Sequence, residues 1–357
     1  MIRALWLALA LATTGAQADT IRIASFNAEL HRDGPGLLLR DIRSGKDAQV
    51  EAVLEVIAAT DPDILALQGV DWDLESRALG ALAERLAEAG TAYPHRVARQ
   101  PNSGLATELD LDGDGRTGGP GDSQGWGEFT GRNGIALLSK YPIETDAIRD
   151  FSELLWRDLP GAMLPQRDGA PFPSPAAQAA QRLSSTGHWV VPIDLPGGRL
   201  HLLTFQAGPP VFDGPEDRNG LRNRDEIRFW PVFLDGAFGP PPESRFVIAG
   251  GANLDPWDSD GHGASIRDLL ADPRLQDPRP QSPGAAQAGS QGHRTPDALD
   301  TVDWPRPGRM RVDYVLPSAD WTVAAAGVVW PAPGEPGHDA AIRASRHRLV
   351  WVDLRVD

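Results

Sequence analysis

Residues 246–256 read FVIAGGANLDP: four apolar side chains run into Gly250 and Gly251, and then Asn253 and Asp255 emerge. An apolar run closed by glycines is a strand that feeds a turn. Polar residues just past a strand end stand where active sites are built. Position 251, where an acid is the expected residue, is a glycine.

Similar runs lie on both sides of this one. IRIASFN (21–27) alternates apolar and polar residues, and DILALQGVD (63–71) reads as a buried strand. Between them, residues 47–59 carry Val50, Val53, Leu54 and Ile57 at helical spacing behind Asp47, a good N-cap. A second helix is expected over 75–90, and others over 222–235 and 263–271. Further strands are expected at 133–140, 187–195, 199–207, 245–253, 311–318, 322–330 and 347–356. The β-α-β order predicts a layered α/β fold. Pro and Gly gather at 101–131, 158–178 and 278–309, but strands continue beyond each stretch, so these are surface loops rather than linkers.

Arg3, the apolar stretch Ala4 to Ala12 and Ala16-Gln17-Ala18 have the form of a signal peptide, residues 1–18, with a Sec-type character. One mature domain, 19–357, is then expected in the periplasm or outside the cell. No stretch is long and apolar enough to span a bilayer. The 357 residues include no cysteine, which removes thiol nucleophiles, iron–sulfur clusters and cysteine–zinc sites from consideration. The formal charge is −15 and lysine is nearly absent, so a basic face for long nucleic acid is not expected. The 11 tryptophans, among them Trp126, Trp257, Trp304 and Trp330, read as packing under the long loops.

Taken in order, SFNAEL (25–30), DPDILALQGVDWD (61–73), GRNGIALLSKYPI (131–143), FVIAGGANLDP, RVDYVLP (311–317) and ASRHRLVWVDL (344–354) resemble the motifs of the endonuclease/exonuclease/phosphatase superfamily. The resemblance spans nearly all of 21–356. It implies a four-layer α/β/β/α sandwich of DNase I-like type, with two mixed β-sheets packed face to face and the site at one edge. It also implies phosphoester cleavage assisted by a divalent metal, Mg or Mn.

The acids of that pattern are where the chain departs from it. The family's metal-binding Glu falls on Gly69, the Asp of its G-D-x-N motif on Gly251, the Asp before its last His on Arg346, and a strand-end His on Gln206. What survives is implied to be catalytic: Asn27, Asn253 as a phosphoryl donor, and an Asp313–His347 pair in which the acid orients the imidazole. A satisfied structural pair is the plainer alternative for the last two. Arg346 is a candidate for phosphate, joined by Gln206 and by Arg222 and Asn223, which would open the helix after the charged loop 212–230. That loop reads equally as a surface segment pinned by salt bridges. Glu29 and Asp255 are the candidate metal ligands, with Asp71 a further acid two residues past Gly69.

Asp110, Asp112 and Asp114 followed by Gly115 have calcium-loop spacing, although Gly121 holds the twelfth position and Asp122 comes one residue later. DPWDSDGHG (255–263) is a weaker candidate. Three functions follow. One is an exported phosphoesterase-like protein with weakened metal-dependent hydrolysis and a retained anion pocket. Another is an active phosphomonoesterase or phosphodiesterase with shifted ligands, and the last is a partner-binding module. The expected substrate is a small phosphoester or other anion.

Overall fold

Each long strand carries an inward column of apolar side chains that turns polar at one end. The columns are Ile21, Ile23, Ser25, Asn27; Ile64, Ala66, Gln68; Leu200, Leu202, Thr204, Gln206; Val247, Ala249, Gly251; and, running the other way, Val315, Asp313. Side chains alternate across a strand, so each column faces one way. The intervening residues, such as Ala24, Phe26, Leu65, Leu203, Phe205 and Ile248, face outward and are also buried. Strands buried on both faces need a layer on each side.

The computed structural model describes residues 20–356, and the signal-peptide stretch lies outside the described residues. Eleven strands form the two large sheets: β1 (Thr20–Asn27), β2 (Ile64–Val70), β3 (His95–Ala98), β4 (Gly134–Ser139), β5 (Arg149–Asp150), β6 (His188–Leu195), β7 (Gly198–Gln206), β8 (Phe246–Gly251), β9 (Asp313–Pro317), β10 (Val323–Val328) and β11 (Val350–Arg355). One sheet has the order β10-β11-β1-β2-β4-β3 and the other β9-β8-β7-β6-β5. Both are mixed, since β1 runs parallel to β2, and β7 to β8, while the other pairs are antiparallel.

The inward columns meet in one apolar layer between the sheets. Helices α1 (Leu37–Ser44), α2 (Ala48–Thr60), α3 (Arg77–Glu88), α4 (Pro175–Ala180), α5 (Arg218–Leu234), α6 (Ala264–Leu270), α7 (Pro283–Ala288) and α8 (His338–Ala344) are the larger helical pieces. Of these, α1, α2, α3 and α8 cover the first sheet, and α5 and α6 cover the second. The four-layer sandwich is therefore present. Asp47 caps α2, accepting from Val50 N at 2.9 Å.

Strands β3 and β5 and helices α1, α4, α7 and α8 were not expected. All are short. Helices α4 and α7 do carry a start signal, Ser174-Pro175 and Ser282-Pro283, with each serine capping the amide three residues on. The surrounding Pro/Gly-rich composition masks it. Helix α5 begins at Arg218, a full turn earlier than expected.

Candidate functional site

The polar ends of the inward columns form one rim of the sandwich. Register places Gln206 beside Gly251 and Gly251 beside Asp313, three abreast on β7, β8 and β9. Asn27 and Gln68 are paired on the facing sheet. The segment before β11 crosses between the sheets and brings Ser345, Arg346 and His347 to the same rim.

Asp313 and His347 form the expected pair. Asp313 Oδ2 lies 2.8 Å from His347 Nδ1 and accepts from Thr301 Oγ1 at 3.0 Å. Thr301 Oγ1 in turn accepts from the Val312 and Asp313 amides. Trp304 packs edge-on against the imidazole, with centroids 5.4 Å apart. Both members of the pair are buried, and Asp313 Oδ1 has no partner. An Nδ1–H directed at the carboxylate leaves Nε2 as the imidazole's working nitrogen, able to accept a proton or, when protonated, to donate one.

Glu29 does not behave as a free ligand. The backbone leaves the strand at Asn27 and Glu29 takes a left-handed φ of 47°, so strand alternation no longer fixes its direction. Its carboxylate accepts from Arg346 N at 2.8 Å, Ser345 Oγ at 3.1 Å and Arg346 Nε at 2.9 Å, and also from Arg346 Nη2. Burial pushes the carboxyl up, but the Arg346 hydrogen bonds and the neighbouring His347 outweigh it and hold the pKa at about 2. Arg346 is thus the partner of the expected metal ligand, although its side chain stays 55% exposed.

The two glycines have been built around. Gly69 sits at φ +78° in a bulge of β2, where an added Cβ would lie 2.6 Å from Asn27 Oδ1 and 2.7 Å from Glu29 N. At Gly251 an added Cβ would lie 2.2 Å from Gln206 Oε1. Gln206 therefore fills the place of the absent acid, and its buried Oε1 finds no donor. Asn253, in a left-handed turn with φ 51°, donates to Ala207 O at 2.7 Å and faces the cleft beside the rim.

Other expected site residues are engaged elsewhere. Asp255 accepts from the amides of Trp257, Asp258 and Arg311 and from Thr295 Oγ1, so both of its oxygens are engaged in organising its own loop. Asp71, pushed up to about 6 by burial, ties the Arg32 and Asn133 amides together. Because α5 starts early, Arg222 lies in its second turn and is buried. Its guanidinium donates to the carbonyls of Leu183, Gln124, Arg182 and Ser184, a staple for two loops rather than an anion receptor. Asn223 Nδ2 likewise holds Gly208 O and Ala252 O, each at 2.7 Å. In the acidic loop, Asp110, Asp112 and Asp122 come together, while Asp114 does not join them.

Sequence reasoning missed the cleft next to Asn253. It has a volume of about 620 Å³ and is lined by Ser103, Trp126, Arg132, Gln206, Phe212 and Arg218, among others. These residues come from the long segment between β3 and β4, the end of β7, the loop after it and the start of α5, and no local pattern unites them.

A two-sheet sandwich with an Asn/Asp–His rim is the architecture of a phosphoesterase class. The Endonuclease/Exonuclease/phosphatase family model matches residues 24–347, and the chain belongs to that family. Solved structures agree on the fold. An endonuclease/exonuclease/phosphatase from Beutenbergia cavernae is similar at 18% identity with a TM-score of 0.54, over 94% of this chain and 71% of that one. A family protein from Leptotrichia buccalis is similar at 13% identity with a TM-score of 0.51, over 94% and 99%. No curated protein matches the sequence.

Members of this family generally use divalent metals. The rim does not fit one. Glu29 is saturated, positions 69 and 251 offer no side chain, and among the described residues of the rim only Asp313 Oδ1 remains as an uncommitted carboxylate oxygen. Hard cations need several such oxygens.

Proposed function

We propose that this is an exported, phosphoesterase-like protein that keeps a phosphate-binding rim and has weakened or lost metal-dependent hydrolysis. The observation that carries the reading is that the ligand positions are occupied: Gln206 stands at Gly251, Asn27 crowds Gly69, and Arg346 clasps Glu29. Asn27, Asn253, His347 and the exposed edge of Arg346 supply neutral and cationic donors, the chemistry that suits a phosphoryl group. The substrate or ligand is a small phosphoester or similar anion.

The test uses residues 19–357 with p-nitrophenyl phosphate and bis-p-nitrophenyl phosphate, in Mg²⁺, Mn²⁺ or Ca²⁺. The expected result is near-background turnover that metals do not raise, together with calorimetric binding of inorganic phosphate that weakens in Asn253→Ala and His347→Ala. Metal-stimulated turnover abolished by His347→Ala would overturn it. That outcome would establish the second reading, an active enzyme with shifted ligands, which the partnerless Asp313 Oδ1 favours. Export through residues 1–18 is checked by fractionation: the full-length protein should leave the cytoplasm with a new N-terminus near Asp19. A calcium ion in the loop of Asp110, Asp112 and Asp122 is part of the proposal, and Ca²⁺ should raise the melting temperature in the wild type but not in Asp112→Asn.

A further inference from the structure

The cleft beside the rim is built as a pocket, not left as a gap between loops. Asn102 anchors its first loop by donating to Ser152 O at 2.6 Å and Ser184 O at 2.8 Å. Trp126 lies between Gly125 and Gly127, whose backbones are held by Gly104, Asn102 and Pro120. Gly125 packs so closely on Ser185 O that a Cβ would lie 1.8 Å from it. The backbone is fixed, yet the indole is 57% exposed. Phe212, on the loop after β7, is 88% exposed on the same cleft. Two solvent-exposed aromatic side chains on one cleft, the first on a fixed backbone, suit a flat apolar partner.

The polar lining points to the rest of that partner. Among the described residues no carboxylate lies within ion-pair distance of Arg218, and no hydrogen bond occupies its guanidinium, although burial lowers its pKa from the ordinary value. Arg132 is held by Glu128 at 2.7 Å and lies 5.0 Å over the Trp126 ring, whereas Arg218 makes no direct pair and feels Asp112, Asp213, Glu216 and Asp122 only through space, which leaves its N–H donors open to a ligand. Of the two acids in the lining, Glu226 is engaged through both oxygens and Asp112 through one. Glu226 accepts from Ser185 N, Ser185 Oγ and Gly208 N, and Asp112 from Asp114 N. Two buried oxygens on the wall, Gln206 Oε1 and Ser103 Oγ, have no partner. A buried acceptor left unpaired is costly, and a ligand donor recovers that cost.

We propose that this cleft binds the organic part of a small phosphate ester that carries a flat ring and a hydroxyl or N–H group, a molecule of nucleoside-monophosphate size. The ring lies between Trp126 and Phe212, the phosphate meets Arg218 and Asn253, and the hydroxyl or N–H donates to Gln206 Oε1. The inference rests on the phosphate-binding reading and adds the ligand class. A net charge of −15 favours a small anion held by the Arg218 guanidinium over a polyanionic polymer.

Titration calorimetry with adenosine 5′-monophosphate, phenyl phosphate and inorganic phosphate tests it. The two ring-bearing esters should bind at least about tenfold more tightly than inorganic phosphate. Phe212→Ala and Trp126→Ala should each remove most of that advantage and leave phosphate affinity unchanged, while Phe212→Tyr keeps it. Arg218→Gln should weaken all three ligands. Phe212 is exposed, so its variants test the idea without disturbing the fold. Ring-bearing esters that bind no better than phosphate would overturn this inference and leave the phosphate-binding reading standing. Absence of binding by all three would overturn both.

Discussion

Arg346 shows how much one side chain changes at this rim. Its guanidinium makes Glu29, expected from the sequence to be a metal ligand, half of an ion pair. Glu29 has a folded pKa near 2 against an ordinary 4.5, so it stabilises the fold above pH 4.5, and this contribution is lost as pH falls toward 2. Arg346→Ala should therefore cost about 2 kcal/mol near neutrality, with the deficit shrinking across that acid range, as read from urea unfolding at several pH values. The glycines make a second prediction. Gly251→Asp should destabilise on its own, and Gln206→Ala should relieve much of the loss, because the obstructing atom is the end of a flexible side chain. Gly69→Glu has no such relief. Its left-handed φ and its backbone contact with Glu29 should cost at least about 2 kcal/mol, measured the same way. The sequence made the missing acids plain. It could not show what had moved into their places, since Gln206 and Gly251 meet only through sheet register.

Helix α5 illustrates the same point for an element. Its charges, from Arg218 to Glu226, read as a polar surface loop or an anion site, yet the helix is a buried spine whose polar side chains hold loops in place. Arg222 gathers four carbonyls through a planar fork. Arg222→Lys should fail to rescue what Arg222→Ala loses, about 3 kcal/mol in either case, since an ammonium cannot reach that set. Limited proteolysis should find new cleavage near Gln124 and Arg182 in both variants. The strands were far more legible than this helix, because a period of two survives in Ile21, Ile23 or Val247, Ala249 whatever the loops do. Glu29 marks the limit of that rule. Alternation carries no further than Asn27, where the chain turns left-handed.

At the scale of the whole molecule, two sheets bury their inner faces in a single shared apolar layer. The first sheet is completed by β11, which lies between β10 and β1. Deleting residues 346–357 should remove both the His347 rim and an interior strand of this sheet, detaching β10 from β1, and should give an insoluble product in place of a trimmed domain. The sheet orders were not legible, because pairing of distant strands leaves no local mark; only the motif order, matched as a set, pointed to them. The cleft was hidden for the same reason, since its walls come from 103, 126, 212 and 218. The β1–β11 pairing, from Thr20 opposite Arg355 to Ser25 opposite Val350, has one more consequence. The strand made earliest in the described chain must wait for one made near its finish, and such long-range closure is slow. Until then one edge of β1 stays unpaired, an interval in which the export proposed above would find the sheet still open.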